Sequence, residues 1–153
     1  MMSLSNSLID MNRLFAIILL TLSFAARADC FDDAAAYHNV NPWILRAIAA
    51  QESSFRPNTV VRNKNNSIDV GATGINSVHF PELAKYGIRP ADLLNGCNAV
   101  YVAGWLLRRH MDKAGNTWEA VGWFRSRNNP YKDEYIADIQ KRIADWQRQG
   151  LIQ

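Results

Sequence analysis

One carboxylate in this 153-residue chain stands where its neighbours would place an apolar side chain. Residues 42–53 read as a helix, opened by Asn41 as N-cap and Pro42 at the first helical position. Leu45, Ile48 and Ala49 lie seven, four and three positions before Glu52 and share its side of that helix. Glu52 thus continues an apolar stripe close to the helix C-terminus. Desolvation there disfavours the ionised form, and the negative end of the helix dipole acts in the same direction. Both effects raise the pKa, as a general acid requires if it is to deliver a proton to a leaving oxygen at neutral pH. From the helix pattern alone the plainer reading is favoured: Glu52 sits at the stripe's edge and reaches solvent, or pairs with Arg56.

The elements around this residue read as mostly helical. Periodicity disappears over residues 56–76, where residues 63–69 are rich in Asn, Lys and Ser. That segment is expected to be one long polar loop with room for a small β-hairpin, and loops of such length in a short domain are usually functional. Helical patterns return at residues 81–86, closed by Gly87, and at 90–95, closed by Gly96. A longer helix over 97–113 ends at Gly115, and Thr117 caps the next, over 118–125. Asn129-Pro130 opens the last helix, in which Tyr135, Ile139, Ile143 and Trp146 recur at spacings of four, four and three. The expected fold class is α+β, predominantly α-helical, in one domain without internal repeats.

The chain begins with a segment that reads as a leader. Met11-Asn12-Arg13 is a short polar start, residues 14–26 are almost wholly apolar, and Ala26-Arg27-Ala28 supplies the small residues of a cleavage site. Residues 1–28 are therefore expected to be a secretory signal peptide, with 29–153 as the mature domain. The apolar run is shorter than the ~20 residues of a membrane-spanning helix. An uncleaved anchor is the alternative, and Arg27-Ala28-Asp29 makes a poor lipobox for Cys30. Export places Cys30 and Cys97 in an oxidising compartment, where they are expected to pair. The cysteines and the scattered His38, His79 and His110 offer no metal-ligand spacing. The formal charge of +3 is too small to argue for nucleic acid, and Arg108-Arg109 and Lys141-Arg142 read as solvated helix faces.

Three runs resemble one family in the right order. Residues 48–58 (IAAQESSFRPN) resemble the A-x-x-E-S-x-F-x-P signature of soluble lytic transglycosylases. Residues 69–77 (DVGATGINS) resemble their second motif, D-x-G-L-M-Q-I-N-S, and residues 116–124 (NTWEAVGWF) resemble the third, A-V-x-x-Y-N. Cys30 and Cys97 also fall where small specialised members of that family place a pair, those accompanying type IV pili, conjugation machines and secretion systems.

The resemblance implies a lysozyme-like fold and cleavage of the β-1,4 bond between N-acetylmuramic acid and N-acetylglucosamine in peptidoglycan. The glutamate matched by Glu52 protonates the glycosidic oxygen. It then acts as base on the C6 hydroxyl, which closes onto C1 as a 1,6-anhydro ring. No cofactor or metal is implied. The expected setting is a monomer in the periplasm of a Gram-negative envelope, with glycan strands as partner and with a possible pilus, conjugation or secretion apparatus.

By the same matching Ser54, Gly71, Thr73, Asn76 and Phe124 are expected to contact substrate, with Tyr131 or Tyr135 available to supply the hydroxyl that Phe124 lacks; for Asn76 a capping role weighs evenly. Ala72, Thr73 and Gly74 stand where the family has Leu, Met and Gln. Phe124 stands where it has Tyr, and Arg125 where it has Asn or His. Two other readings stand beside transglycosylation: a lysozyme-type muramidase in which Asp69, in the polar loop before Gly71, helps to activate water, and, motivated by Gly74 and Phe124, a glycan-binding protein of little or no activity.

Overall fold

The computed structural model describes residues 29–152, so the expected leader lies outside the described residues. The first helix among the described residues, α1 (Cys30–His38), has no counterpart among the helices read from periodicity. Its cause is nonetheless local. The Asp29 carboxylate caps the amides of Phe31 and Asp32, Asp32 and Asp33 oppose the positive end of the dipole, and three alanines follow. The next helix, α2 (Pro42–Ser53), starts as expected: the Asn41 side chain accepts from the Trp43 amide at 2.8 Å, with Pro42 in the first turn. Ser54 ends it in the left-handed region at φ 55°, and the Ser54 and Phe55 amides close back onto Ala50 and Ala49.

The polar segment forms a three-stranded antiparallel sheet, not only a loop: β1 (Val60–Arg62), β2 (Ile68–Val70) and β3 (Ile75–Asn76). Val70 pairs with Ile75, and both are buried against the helices. Asp69 pairs with Asn76 on the opposite face, because side chains alternate along a strand. A 3₁₀ turn (Ser77–His79) and the short α3 (Phe80–Ala84) lead to a second 3₁₀ turn (Pro90–Leu94).

The longest helix, α4 (Gly96–Ala114), runs through the centre with Ala99, Val100, Val102, Ala103, Leu106 and Leu107 buried. Each larger side chain so buried contributes about 1.5–3 kcal/mol. Helix α1 packs along it, with His38 so close to Gly104 that a Cβ there would lie 2.8 Å from the ring. The Cys30–Cys97 disulfide ties the two helices, Cα–Cα 5.3 Å, and closes a separation of 67 residues.

Helix α5 (Trp118–Gly122) is shorter than the periodicity suggests. The Phe124 and Arg125 amides turn back to Val121 and Gly122, three residues earlier, so the chain tightens where a helix would continue. The last helix, α6 (Tyr131–Arg148), buries Tyr135 and Ile139 and lays Trp146 against Trp43 of α2, ring centroids 5.9 Å apart. Among the described residues no helix is long and apolar enough to cross a membrane.

Candidate active site

Helix α2 ends at a cleft of about 880 Å³ between the sheet and the turn after α5. Glu52 lies in its lining together with Asp69, Gly74, Asn76 and Phe124. A smaller hollow of about 320 Å³ opens on the other side of Glu52, toward Tyr135, Glu134 and Asp138 on α6. Glu52 and Arg125 belong to both.

The last turn of α2 is fixed on two sides. Buried Ser53 donates its hydroxyl to the Ala72 carbonyl at 2.7 Å, and its Oγ accepts from the Arg56 amide at 2.9 Å. This joins the helix end to the turn between β2 and β3. On the other side Gln51 receives a hydrogen bond from Arg142 at 3.0 Å and gives one to Asp138 at 3.2 Å, which joins the same turn to α6. Glu52 lies between these two anchors.

The β2–β3 turn comes close to Glu52 because it carries glycine. At Gly74, φ is 62°, and a Cβ there would lie 3.0 Å from Glu52 Oε2 and 3.1 Å from its Cβ. Glycine here makes room for the carboxylate, which any side chain at this position would crowd.

Burial pushes the Glu52 carboxyl above the usual carboxylate range. The nearby Tyr135 hydroxyl and the Arg125 charge pull it back in part, and the Asp69 charge adds to the rise. Arg56, the alternative partner from sequence, turns its guanidinium to the Ser53 carbonyl at 2.9 Å. Tyr135 is buried, and burial with the neighbouring Glu52 pushes its phenol well above its ordinary range. Its hydroxyl is near Glu52 but falls short of hydrogen-bond geometry, and has no partner among the described residues.

Asp69 is held differently. Its Oδ1 accepts from Asn76 Nδ2 at 2.6 Å and its Oδ2 from Asn63 Nδ2 at 2.8 Å, so both oxygens are engaged. Asn76 also caps the following 3₁₀ turn through its Oδ1, so it both caps and lines the cleft.

Three positions named from the motifs lie elsewhere. Ser54 is the exposed C-cap of α2 and does not line the cleft; the buried tie is Ser53. Gly71 is buried at φ 85° and gives its amide to the Thr59 carbonyl at 2.8 Å; a Cβ there would overlap the Leu93 carbonyl. Thr73 is fully buried and donates to the Ala99 carbonyl at 2.9 Å, leaving no surface for a substrate. Both shape the turn that carries Gly74.

Phe124, Tyr131 and Tyr135 do reach the cleft region, and the structure adds Trp123 and Arg125. Trp123 is fixed by donating to Glu119 at 2.9 Å, and Arg127 stacks over its ring at 4.1 Å. The sequence signal for Arg125 was only its departure from the third motif.

The model of the family described as "Transglycosylase SLT domain" matches residues 29–124. Similar proteins cover most of the chain. Invasion protein IagB of Salmonella typhimurium (strain SL1344) is 37% identical over 136 residues, 88% of this chain and 82% of its own. Protein IpgF of Shigella flexneri is 35% identical over 137 residues, 86% of this chain and 90% of its own. An X polypeptide of Escherichia coli is 35% identical over 126 residues, 78% of this chain and 74% of its own. The predominantly helical α+β fold with its small sheet is the lysozyme-like arrangement expected of such a domain. Domain match, relatives and fold agree: the chain belongs to the transglycosylase SLT domain family.

Proposed function

We propose that this protein is a peptidoglycan lytic transglycosylase with Glu52 as its single acid–base residue. The observation that carries the reading is a half-buried carboxylate, shifted toward its protonated form, at the meeting point of two hollows in a cleft. Protonated Glu52 gives its proton to the glycosidic oxygen as the bond from that oxygen to C1 of N-acetylmuramic acid breaks. The N-acetylglucosamine side leaves with a free 4-hydroxyl. The Glu52 carboxylate then takes the proton of the C6 hydroxyl, whose oxygen bonds to C1 and closes the 1,6-anhydro ring. Atoms balance without water, and no cofactor or metal is required.

Within this reading Asn76, Phe124 and Arg125 border the bound glycan, and Tyr135 steadies Glu52 from the α6 side. Glu52→Gln should bind glycan strands in a pull-down yet solubilise peptidoglycan about 10²–10⁴-fold more slowly. Equal lysis by both forms would remove the mechanism, and no lysis by either would favour the glycan-binding alternative.

A second reading is a muramidase in which Asp69 assists water, and one observation favours it: Asp69 shares the cleft and its charge acts on Glu52. The engagement of both its oxygens by asparagine amides weighs against a role as base.

The proposed setting is the periplasm, where a signal-directed monomer opens the wall locally for a pilus, conjugation or secretion apparatus. The name Invasion protein carried by one relative supports a role at the envelope. Deletion should impair assembly of such an apparatus while general wall turnover stays unchanged; the reverse result would refute this setting.

A further inference from the structure

The cleft is electrically lopsided. On its sheet side Arg62 and Lys64 border the larger hollow, and Arg125 faces them from the turn after α5. Among the described residues none of these three makes a side-chain hydrogen bond or an ion pair. Other arginines are engaged within the fold: Arg46, Arg89, Arg108, Arg109 and Arg148 pair with carboxylates, Arg56 and Arg142 donate to Ser53 and Gln51, and Arg127 lies over the Trp123 ring. The one other carboxylate in this hollow besides Glu52 is Asp69, whose oxygens already accept from Asn63 and Asn76. His79, also in the lining, is held toward its neutral form by burial, so it adds little charge. The smaller hollow across Glu52 has the opposite character, with Glu134 and Asp138. Arg125 stands where the two meet, just beyond the segment matched to the family.

We infer that the larger hollow of the cleft holds a carboxylate-reading subsite, with Arg125 as its specificity-determining residue and Arg62 and Lys64 facing it from the sheet. The inference rests on the glycan reading above and names the side chain that reads the carboxylates such strands carry beside the bond to be cut. A planar guanidinium without a protein partner is suited to a carboxylate, which it can meet with two parallel hydrogen bonds. Two parts of peptidoglycan supply that group: the lactyl carboxyl of muramic acid freed of its stem peptide, and the acidic residues of an intact stem. A neutral chitin-type glycan supplies neither. The acidic hollow opposes the same anion on the other side, so one orientation of the strand is favoured.

The test uses the full mature chain with Glu52→Gln, which stops turnover, and isothermal titration with three tetrasaccharides. These are neutral chitotetraose, the stem-free N-acetylglucosamine–N-acetylmuramic acid tetrasaccharide, and the same tetrasaccharide bearing stems. At low salt at least one anionic tetrasaccharide should bind roughly tenfold more tightly than chitotetraose, and the advantage should shrink as salt rises. The larger advantage identifies its source, lactyl or stem. Adding Arg125→Gln should cut that advantage severalfold, with Arg125→Lys keeping part of it. Because Arg125 is exposed, these variants should melt within a degree or two of their parent. An advantage that survives Arg125→Gln unchanged, or that is absent in the parent, overturns the subsite. Failure to bind any of the three overturns the glycan reading itself.

Discussion

Glu52 is pulled in two directions by its surroundings: burial and Asp69 favour the protonated acid, Arg125 and Tyr135 the anion. The balance lies on the acid side, which links catalysis to stability. A carboxyl whose folded pKa exceeds its unfolded value makes the native state bind more protons, so stability falls as pH rises through that interval. Glu52→Gln should therefore raise the melting temperature at pH 7 by a few degrees, and the gain should vanish at pH values below the unfolded pKa. An unchanged melting temperature at pH 7 would mean that Glu52 is not under that strain. The charge on Asp69 gives a second test. Its removal by Asp69→Asn lowers the Glu52 pKa, so the fall in activity on the alkaline side should move to lower pH with only a modest loss at the optimum. Activity reduced to the level of Glu52→Gln would instead place Asp69 in the chemistry. At this scale the sequence was partly readable. Glu52 stood out because helical spacing is local and three ordered motifs surround it. The serine of the first motif aligns with Ser53, the buried tie, whereas Ser54 occupies the motif's variable position and is the exposed left-handed cap.

The elements bring Glu52 to the cleft through turns more than through regular structure. Gly74 and Gly71 are both in the left-handed region, but their neighbours differ. Gly74→Ala costs about 1 kcal/mol in backbone strain and pushes against Glu52, so kcat/KM should fall about 10- to 100-fold with a small change in melting temperature. Gly71→Ala meets the backbone carbonyl of Leu93 and should cost about 2–4 kcal/mol, read by urea unfolding. Equal stability losses would show that the two positions do the same work. Helices α2, α4 and α6 were readable because caps and apolar spacing specify them within their own length. The sheet was only foreshadowed as a hairpin, since strands of two or three residues are too short to show alternation. The burial of Thr73 is not legible in the motif, because its partner, the Ala99 carbonyl, lies 26 residues away in sequence.

The molecule as a whole has one small core arranged around α4, and the cleft is held by what packs on that helix from both sides. Its disulfide joins α1 to α4 across 67 residues, and chain-entropy reasoning assigns such a bridge about 4 kcal/mol. Replacing Cys30 and Cys97 with serine should reduce unfolding free energy by roughly that amount, measured in urea; a loss under about 1 kcal/mol would show that α1 docks on packing alone. The pairing was expected from sequence, whereas the helix that carries Cys30 was not, although Asp29 and the alanine run specify it locally. The cleft's charge asymmetry could not be seen at all in sequence, because Arg62, Lys64 and Arg125 meet only through the fold. All of these features bear on the proposed reaction, in which a single carboxylate breaks the glycan without water. Mass spectrometry of purified peptidoglycan digested by the protein tests it most directly. The account predicts muropeptides ending in 1,6-anhydro-muramic acid, one water lighter than hydrolysis products; reducing ends in their place would contradict it.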